Sequence, residues 1–328
     1  MILVCGGAGY IGSHMVYELL AQNKEVVVVD NLITGYEQAI HPKAIFYPVD
    51  IRDKAALSKV FEAHEIEAVV HFAASSLVGE SVKEPLKYYD NNVGGSRMLL
   101  EVMAQYGVSK IVFSSTAATY GNPGVSVISE SEPTQPINPY GETKLAVEKL
   151  LKWSDEAYGI KSICLRYFNV AGAHESAIIG ESHQPETHLI PIILQVALGK
   201  RPHIQVFGSD YQTPDGTCIR DYIHVTDLVK AHMCALDKLF ADSESNIYNL
   251  GNGNGFSVLE MIEAARKVTG HDIPVVMADR RAGDPDILVA SAEKAARELG
   301  WKPLVTEVED IIRSAWRFHQ KFPDGFSK

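Results

Sequence analysis

Cysteine is scarce in this chain, and what there is stands apart. Cys5, Cys164, Cys218 and Cys234 are scattered through 328 residues with no Cys-x-x-Cys pair. They do not form a disulfide framework and read as free thiols in a reducing compartment. No stretch of about 20 apolar residues exists, so no membrane span is expected. The opening MILVCGG is too short an apolar run for a signal peptide and has no basic n-region. No run of like charge stands out, and the formal net charge is -11. Binding of nucleic acid through phosphate neutralisation is therefore not expected. The twelve histidines fall at no metal-ligand spacing and read as mostly structural or surface residues, so no metal is expected. Internal repeats and low-complexity segments are also missing. Together these absences predict a soluble, cytoplasmic protein.

What the chain does have is apolar residues in short runs. At 46% hydrophobic over 328 residues it can bury a sizeable core, as two domains or one large one. ILVC (2–5), EVVVVD (25–30), AIFYPVD (44–50), AVVHFAA (68–74), KIVFSS (110–115) and SICLRYF (162–168) read as strands. Most are continuous rather than alternating, as strands covered on both faces are. Helical patterns lie between them, near 11–22, 53–64, 86–106 and 140–157. This rhythm predicts an α/β fold, a Rossmann-type doubly wound parallel sheet. After about Phe168 the pattern loosens, and a smaller C-terminal α/β substrate domain is expected. The predicted division is 1–168 and 169–328, with a fuzzy boundary across which segments interleave.

The first strand runs directly into Gly6-Gly7-Ala8-Gly9-Tyr10-Ile11-Gly12, which opens the first helix. Gly6, Gly9 and Gly12 permit a tight turn, close backbone approach to a pyrophosphate and tight helix–strand packing. The helix start adds free N–H groups and positive dipole for phosphates. Asp30 ends the second strand 18 residues beyond Gly12, where a carboxylate accepts hydrogen bonds from both ribose hydroxyls and repels a 2′-phosphate. NAD is therefore favoured over NADP. Asp50, at the end of the next strand, is a weaker candidate for facing adenine.

Farther along, NPYGETKLAVEK (138–149) begins with a helix-start signal and places Tyr140 and Lys144 on one helical face. By itself this pattern fits a packed tyrosine beside a solvated lysine. Its company decides otherwise. The glycine turn, Ser114-Ser115-Thr116 after a later strand, and Tyr140-x-x-x-Lys144 occur in the order of the extended short-chain dehydrogenase/reductase family, which the chain resembles. GGAGYIGSH, VVVVDNL, PLKYYDNNV, FSSTAATYG, NPYGETK, LRYFNVAGA and GTCIRDYIHV look like the UDP-glucose 4-epimerase (UDP-galactose 4-epimerase) branch of that family. RRAGDP near the C-terminus fits the same branch, and the resemblance spans nearly the whole chain.

The resemblance implies roles residue by residue. Tyr140 is the acid/base for the sugar 4-hydroxyl, Thr116 relays that proton and orients the sugar, and Lys144 holds the nicotinamide ribose and lowers the Tyr140 pKa. Tyr10 and Ile11 hold the pyrophosphate through their backbone, within the turn of Gly6, Gly9 and Gly12. Asp30, Asn31, Thr34 and Gly35 surround the adenosine ribose, while Asp50 and Ile51 face adenine. Phe72, Ala73, Asn91, Ser114 and Phe168 also line the cofactor cleft. On the nucleotide-sugar side stand Asn169, Leu189, Phe207, Arg220, Tyr222, Arg281 and Asp284, with the two arginines gripping the diphosphate. Ser76 replaces a lysine of some relatives and His188 an asparagine; both changes are expected to alter affinity rather than reaction type.

The implied activity is reversible C4 epimerisation of UDP-glucose and UDP-galactose, in galactose metabolism, through a 4-keto sugar and tightly bound NAD. A phenol with a pKa near 10 must fall to near 7 to act as a base, which takes about 4 kcal/mol. One positive charge about 5 Å away contributes on the order of 3 kcal/mol at an effective dielectric of about 20, so Lys144 is expected to supply most of it. A 4,6-dehydratase is disfavoured because Ala117 and Ala118 stand where such enzymes place Asp-Glu. A non-catalytic NAD sensor has no need of Thr116, Tyr140 and Lys144 together. Leu288 matches the family position that crowds the sugar 2-position; leucine is intermediate between a tyrosine that excludes an N-acetyl group and a small residue that admits it, so UDP-glucose and UDP-galactose are expected as the main pair, with weak activity on N-acetylated sugars. His224 reads as a packing residue. Tyr88 and Tyr89 read as core or dimer surface, since relatives are commonly homodimers packed through helices like those near 86–106 and 140–157.

Overall fold

Seven short strands lie side by side, all parallel, in the computed structural model, which describes residues 1–242, 244–280 and 284–327. From one edge they run Ile45–Tyr47, Val26–Val29, Ile2–Cys5, Ala68–His71, Lys110–Ser114, Lys161–Tyr167 and Asn246–Leu250. The order of winding reverses between Ile2–Cys5 and Ala68–His71. In such a sheet a crevice opens there, beyond the carboxyl ends of the strands.

The continuous apolar runs are explained by cover on both faces. Val4, Val26, Val28, Val70 and Val112 pack with Met15, Leu19, Leu228 and Leu236 on one side. Leu3, Val27, Val29 and Val69 pack with Leu57, Val60, Leu99, Met103 and Leu151 on the other. Successive residues of one strand thus feed opposite cores.

The sheets draw on strands from both sides of residue 168. The helix Val225–Ala241 and the strand Asn246–Leu250 lie beyond Phe168, yet the helix packs on the first core and the strand closes the edge of the large sheet. Conversely, Val127–Ile128 leaves the first half of the chain to pair with Val289 and Ala290. The smaller lobe has a sheet ordered Gly255–Ser257, Ile219–His224, Ile287–Ala290, Val127–Ile128, with Asn169–Ala171 also on Ile219–His224. A parallel pair, Ile204–Phe207 with Val275–Ala278, stands beside it. Among the described residues no helix is long and apolar enough to cross a membrane.

The helical pattern near 86–106 is not one helix. Pro85 starts the turn Pro85–Tyr88, a wider π-helical turn follows over Tyr89–Gly94, and an α-helix completes it over Gly95–Tyr106. Such wide turns recur at functional sites. Tyr88 is fully buried and its hydroxyl is hydrogen-bonded to Leu77 and Glu80, whereas Tyr89 is exposed.

The helix Pro139–Tyr158 has clear signals at both ends. The Asn138 side chain accepts from Gly141 N at 2.9 Å, proline occupies the first turn, and Gly159 ends it at φ 69°. Gly141 is required by contact, because a Cβ there would sit 2.5 Å from the Ala118 carbonyl oxygen. The inward face carries Lys144 and Glu148, both buried. Glu148 accepts from Arg166 Nε at 2.9 Å and Nη2 at 2.5 Å, and from Ser115 Oγ at 2.5 Å. The pair is closed off from water, with side chains 4% and 5% exposed. Removing one buried partner strands the other's charge and costs about 3–5 kcal/mol, whereas replacing both by apolar groups costs far less. Glu148→Leu is therefore expected to lower the urea midpoint sharply, and Glu148→Leu with Arg166→Met to recover most of it. An unchanged midpoint in the single variant would show that the pair does not brace the fold.

Candidate functional site

The crevice begins with a turn that only glycine fits. Gly6 has φ +83°, and a Cβ on it would lie 2.6 Å from Ala73 N. A Cβ on Gly12 would lie 2.0 Å from the Gly6 carbonyl oxygen. The helix Tyr10–Ala21 starts at Gly9 with no side-chain cap and no acid in its first turn. Its first N–H groups and positive dipole end thus face the crevice undiluted. Tyr10, Ile11 and Gly12 form this start, while Phe72 and Ala73 close the crevice from the neighbouring strand end.

Asp30 braces the next part. It is 8% exposed, and its two oxygens accept from Ala8 N at 3.0 Å and Leu32 N at 2.8 Å. Burial pushes its pKa up and these two hydrogen bonds hold it down. Each oxygen keeps a free lone pair for a hydroxyl donor. Gly35 packs against it, since a Cβ there would be 2.8 Å from Ala8 Cβ and 3.0 Å from Asp30 Oδ1. Thr34 is exposed on the same loop. Asn31 donates to Asp50 at 2.8 Å, and Arg52 grips Asp50 with Nε at 2.9 Å and Nη2 at 2.7 Å. The Arg52 hydrogen bonds hold the Asp50 carboxyl well below the usual carboxylate range. Arg52 also reaches Asp90 at 2.6 Å, tying this rim to the π-helical turn. Ile51 is buried and would meet any side chain at Gly95. Asn91 donates to Asn92 at 3.0 Å, and Asn92 in turn binds Ser75 and Thr143.

Tyr140, Thr116 and Lys144 meet beyond the carboxyl end of the strand Lys110–Ser114. Thr116 is 8% exposed, its Oγ1 accepts from Ala118 N at 3.1 Å, and its side chain favours the ionised form of the Tyr140 phenol. Lys144 Nζ donates to the Ser114 carbonyl at 2.7 Å and lies 4.9 Å from the Phe113 ring centre. Ser114 Oγ is bonded to the Tyr167 hydroxyl. Burial pushes Lys144 down to about 7, against the pull of Glu148.

On the other lobe, Asn169 and Tyr222 are paired in register, and Asn169 donates to the Asp221 carbonyl at 3.3 Å. Phe168 is half-buried just before Asn169. Arg220 lies in register with Leu288, and its Nη1 donates to the carbonyls of Ile219 and Pro285 at 2.8 and 2.9 Å. Its Nη2 is 3.9 Å from Asp284. Leu189 opens the helix Leu189–Ala197, and Phe207 ends the strand Ile204–Phe207. Arg281 lies outside the described residues.

The NAD dependent epimerase/dehydratase family model matches residues 2–251. The chain belongs to this family. A UDP-glucose 4-epimerase of Lacticaseibacillus casei is 57% identical over 325 residues, covering 99% of this chain and 98% of the relative. A solved UDP-glucose 4-epimerase superposes with a TM-score of 0.99 at 59% identity, over 100% of this chain and 99% of its own. Another, from Bifidobacterium longum in complex with NAD+ and UDP, gives a TM-score of 0.93 at 42% identity over 99% of each chain. As a member of an NAD-dependent family, the chain has a cradle that fits a dinucleotide. The glycine turn leaves room where any Cβ would collide, and the uncapped helix start suits a pyrophosphate.

Two sequence expectations are corrected. The first concerns the Tyr140 pKa, which Lys144 was to lower. Burial instead pushes the phenol up, and the Thr116 side chain only partly offsets it. The physical reason is that Lys144 itself is buried and held near 7, so at neutrality it carries a partial charge. That charge is directed at the Ser114 carbonyl, 6.0 Å from the Tyr140 ring centre. The second concerns the histidines: Glu181, His183, Glu186 and His188 do converge at metal-ligand distances. Sequence reasoning also missed Glu148, Arg166 and Arg52. Glu148 was within reach, because Tyr140, Lys144 and Glu148 recur every four residues along one helical face.

A lysine whose folded value lies below its unfolded value of about 10.4 binds fewer protons folded than unfolded between the two. Stability then rises with pH across that window. Nucleotide-free wild type is thus expected to gain stability relative to Lys144→Met as pH rises from about 7 towards 10.4, with no such trend below 7. Paired denaturation curves across pH read this directly, and a flat difference would mean that the ammonium is not held down by burial.

Proposed function

We propose that this chain interconverts UDP-glucose and UDP-galactose by inverting C4, with NAD retained through the cycle. The observation that carries this reading is the convergence of three groups: Thr116 favours the ionised form of the buried Tyr140 phenol, and Lys144 is anchored on the Ser114 carbonyl one turn farther along the same helix. When bound, NAD supplies the hydride acceptor and donor, and its oxidised ring brings a positive charge.

The chain's own residues do the rest. Gly6, Gly9 and Gly12 with the backbone of Tyr10 and Ile11 would hold the pyrophosphate. Asp30, Asn31, Thr34 and Gly35 would hold the adenosine ribose, and Asp50 and Ile51 would border adenine. Lys144 would hold the nicotinamide ribose. Tyr140 Oη takes the proton from the 4-hydroxyl and later returns it, while Thr116 Oγ1 orients that hydroxyl. In the protein alone the phenol keeps its proton, because burial raises its pKa. Making it a base near neutrality takes more than about 4 kcal/mol of favourable charge, and one partly charged lysine supplies less than the roughly 3 kcal/mol of a full charge about 5 Å away. The site is therefore quiet until further positive charge is brought beside Tyr140. Arg220, with Arg281 assigned from the sequence, would hold the diphosphate firmly and leave the hexose free to turn over.

Ala117 and Ala118 occupy the turn after Thr116, and neither moves a proton, which opposes a dehydratase reading. Leu288, opposite Arg220 in register, supports a preference for sugars without an N-acetyl group. The free thiols support a reducing, cytoplasmic setting. Exposed Leu86 and Trp153, 83% and 63% accessible, sit on the helical stretches that the sequence assigns to a homodimer face. Sedimentation at micromolar concentration is expected to give a dimer, and a monomer there would remove that assignment.

Purified protein given UDP-galactose and no reductant is expected to form UDP-glucose with no net NADH, and to turn over the N-acetylated pair less efficiently. Tyr140→Phe is expected to keep its bound NAD and lose about 10²–10⁴-fold in kcat, the range of general acid–base contributions. A near-normal rate in that variant would remove Tyr140 from the proton step. NAD binding without any turnover of UDP-galactose by the wild type would remove the epimerase reading.

A further inference from the structure

The segment 181–188 gathers four donor groups to which the proton and hydride steps assign no role, although His188 stands at a position expected to affect substrate affinity. Glu181 is 5% exposed, and its ion-pair partners among the described residues are the Nδ1 atoms of His183 and His188. His188 Nδ1 lies 2.9 Å from Glu181 Oε1 and 3.0 Å from Glu186 Oε1. His183 Nδ1 lies 3.3 Å from Glu181 Oε1 and 3.8 Å from Glu186 Oε2. This last nitrogen is buried and makes no hydrogen bond in spite of the nearby carboxylates.

We propose that Glu181, His183, Glu186 and His188 form a structural site for a divalent transition-metal ion, with zinc as its best match. The donor atoms all lie within 4.8 Å of one another. Zinc bonds of about 2.0–2.2 Å to imidazole nitrogen and carboxylate oxygen give tetrahedral ligand–ligand edges of roughly 3.3–3.5 Å. His188 Nδ1 to Glu181 Oε1 and Glu186 Oε1, at 2.9 and 3.0 Å, and His183 Nδ1 to Glu181 Oε1, at 3.3 Å, lie at or just inside that edge, while the 3.8 Å approach of His183 is to the other Glu186 oxygen. Two imidazoles with two carboxylates suit zinc better than magnesium or calcium, which favour all-oxygen sets. Four protein ligands leave no open position, which marks a structural site rather than a catalytic one.

Support for the ligands is also present. Glu186 Oε1 accepts from the backbone N–H groups of Thr187 and His188 at 2.8 and 2.9 Å, which fixes the carboxylate as outer-shell hydrogen bonds do. The ion would pin the segment in place between two parts of the active site. On one side the His183 ring centre is 6.3 Å from that of Tyr10, whose hydroxyl is held by the Gly172 carbonyl at 2.6 Å. On the other, His188 leads directly into Leu189.

The test uses untagged holoenzyme and Zn²⁺ alone as probe. Metal analysis after exhaustive dialysis is expected to find one zinc per chain, and competition with a chromogenic chelator to give tight, saturable binding. Glu181→Gln and His183→Asn are each expected to weaken zinc by more than the roughly 10–100-fold that loss of a mere supporting group produces. Retained NAD in both variants would show that they are folded. If either variant fails to fold, the other and the wild-type stoichiometry still decide the matter. Absence of stoichiometric zinc in the wild type, or equal zinc binding in a folded variant, would overturn the site. Neither result touches the epimerase reading, which rests on turnover.

Discussion

The structure is organised around one buried ammonium. Lys144 is 3% exposed, and a charge there must be met by neighbours or given up. The Ser114 carbonyl meets it directly, and Glu148 lies one turn behind on the same helix. Glu148 is in turn fixed by Arg166 and Ser115, and the Arg166 guanidinium lies 4.8 Å over the Tyr120 ring. Tyr120 donates to Asn249 at 2.7 Å. A chain of polar contacts thus runs from the reactive helix through two central strands to the outermost one. The strand Asn246–Leu250 comes late in the sequence, yet it supplies the last link of this chain. The large sheet and the site therefore depend on each other.

The opposite wall of the crevice works by subtraction. Nothing charged projects from the Gly6–Gly12 turn; its usefulness lies in backbone exposed where side chains would collide. A charged wall would bind phosphates by attraction alone, whereas a glycine wall sets their distance from the strand ends. One side of the crevice is rigid because it is filled with satisfied charges, and the other is close-fitting because it is emptied of side chains. In the proposed reaction the reacting carbon would lie between the two.

Much of this was legible because it is local. The apolar runs gave six strands of the large sheet within a few residues, and Asn138, Pro139 and Gly159 are signals that act on their own helix. Tyr140 and Lys144 were found because four-residue spacing needs no knowledge of the rest of the fold. What escaped is non-local or set by degree. Nothing local in Asn246–Leu250 names the strand it pairs with, and Val127–Ile128 is too short to have a period. The π-helical turn differs from an α-turn by one hydrogen-bond step, which the side-chain pattern of 86–106 does not encode. The Glu181–His188 cluster is compact in sequence, but its members stand at offsets of two, three and two residues in a loop. No helix or strand periodicity predicts their convergence. The direction of the Tyr140 shift depended on how deep both it and Lys144 lie, and depth is a property of the whole fold.

That direction has a thermodynamic corollary. Burial disfavours the phenolate of Tyr140 and the ammonium of Lys144 alike, so the empty site tends towards its least charged form. Positive charge placed beside Tyr140 favours the phenolate, and by reciprocity the phenolate favours whatever carries that charge by the same factor. An oxidised dinucleotide carries the charge and a reduced one does not. The deprotonated enzyme therefore prefers the oxidised form, and the protonated enzyme loses that preference. In the proposed cycle proton and hydride would thus be coupled through one electrostatic interaction. The coupling is strong because the phenol sits where water does not screen it, so the burial that opposes the base in the protein alone is what makes its response to the dinucleotide large.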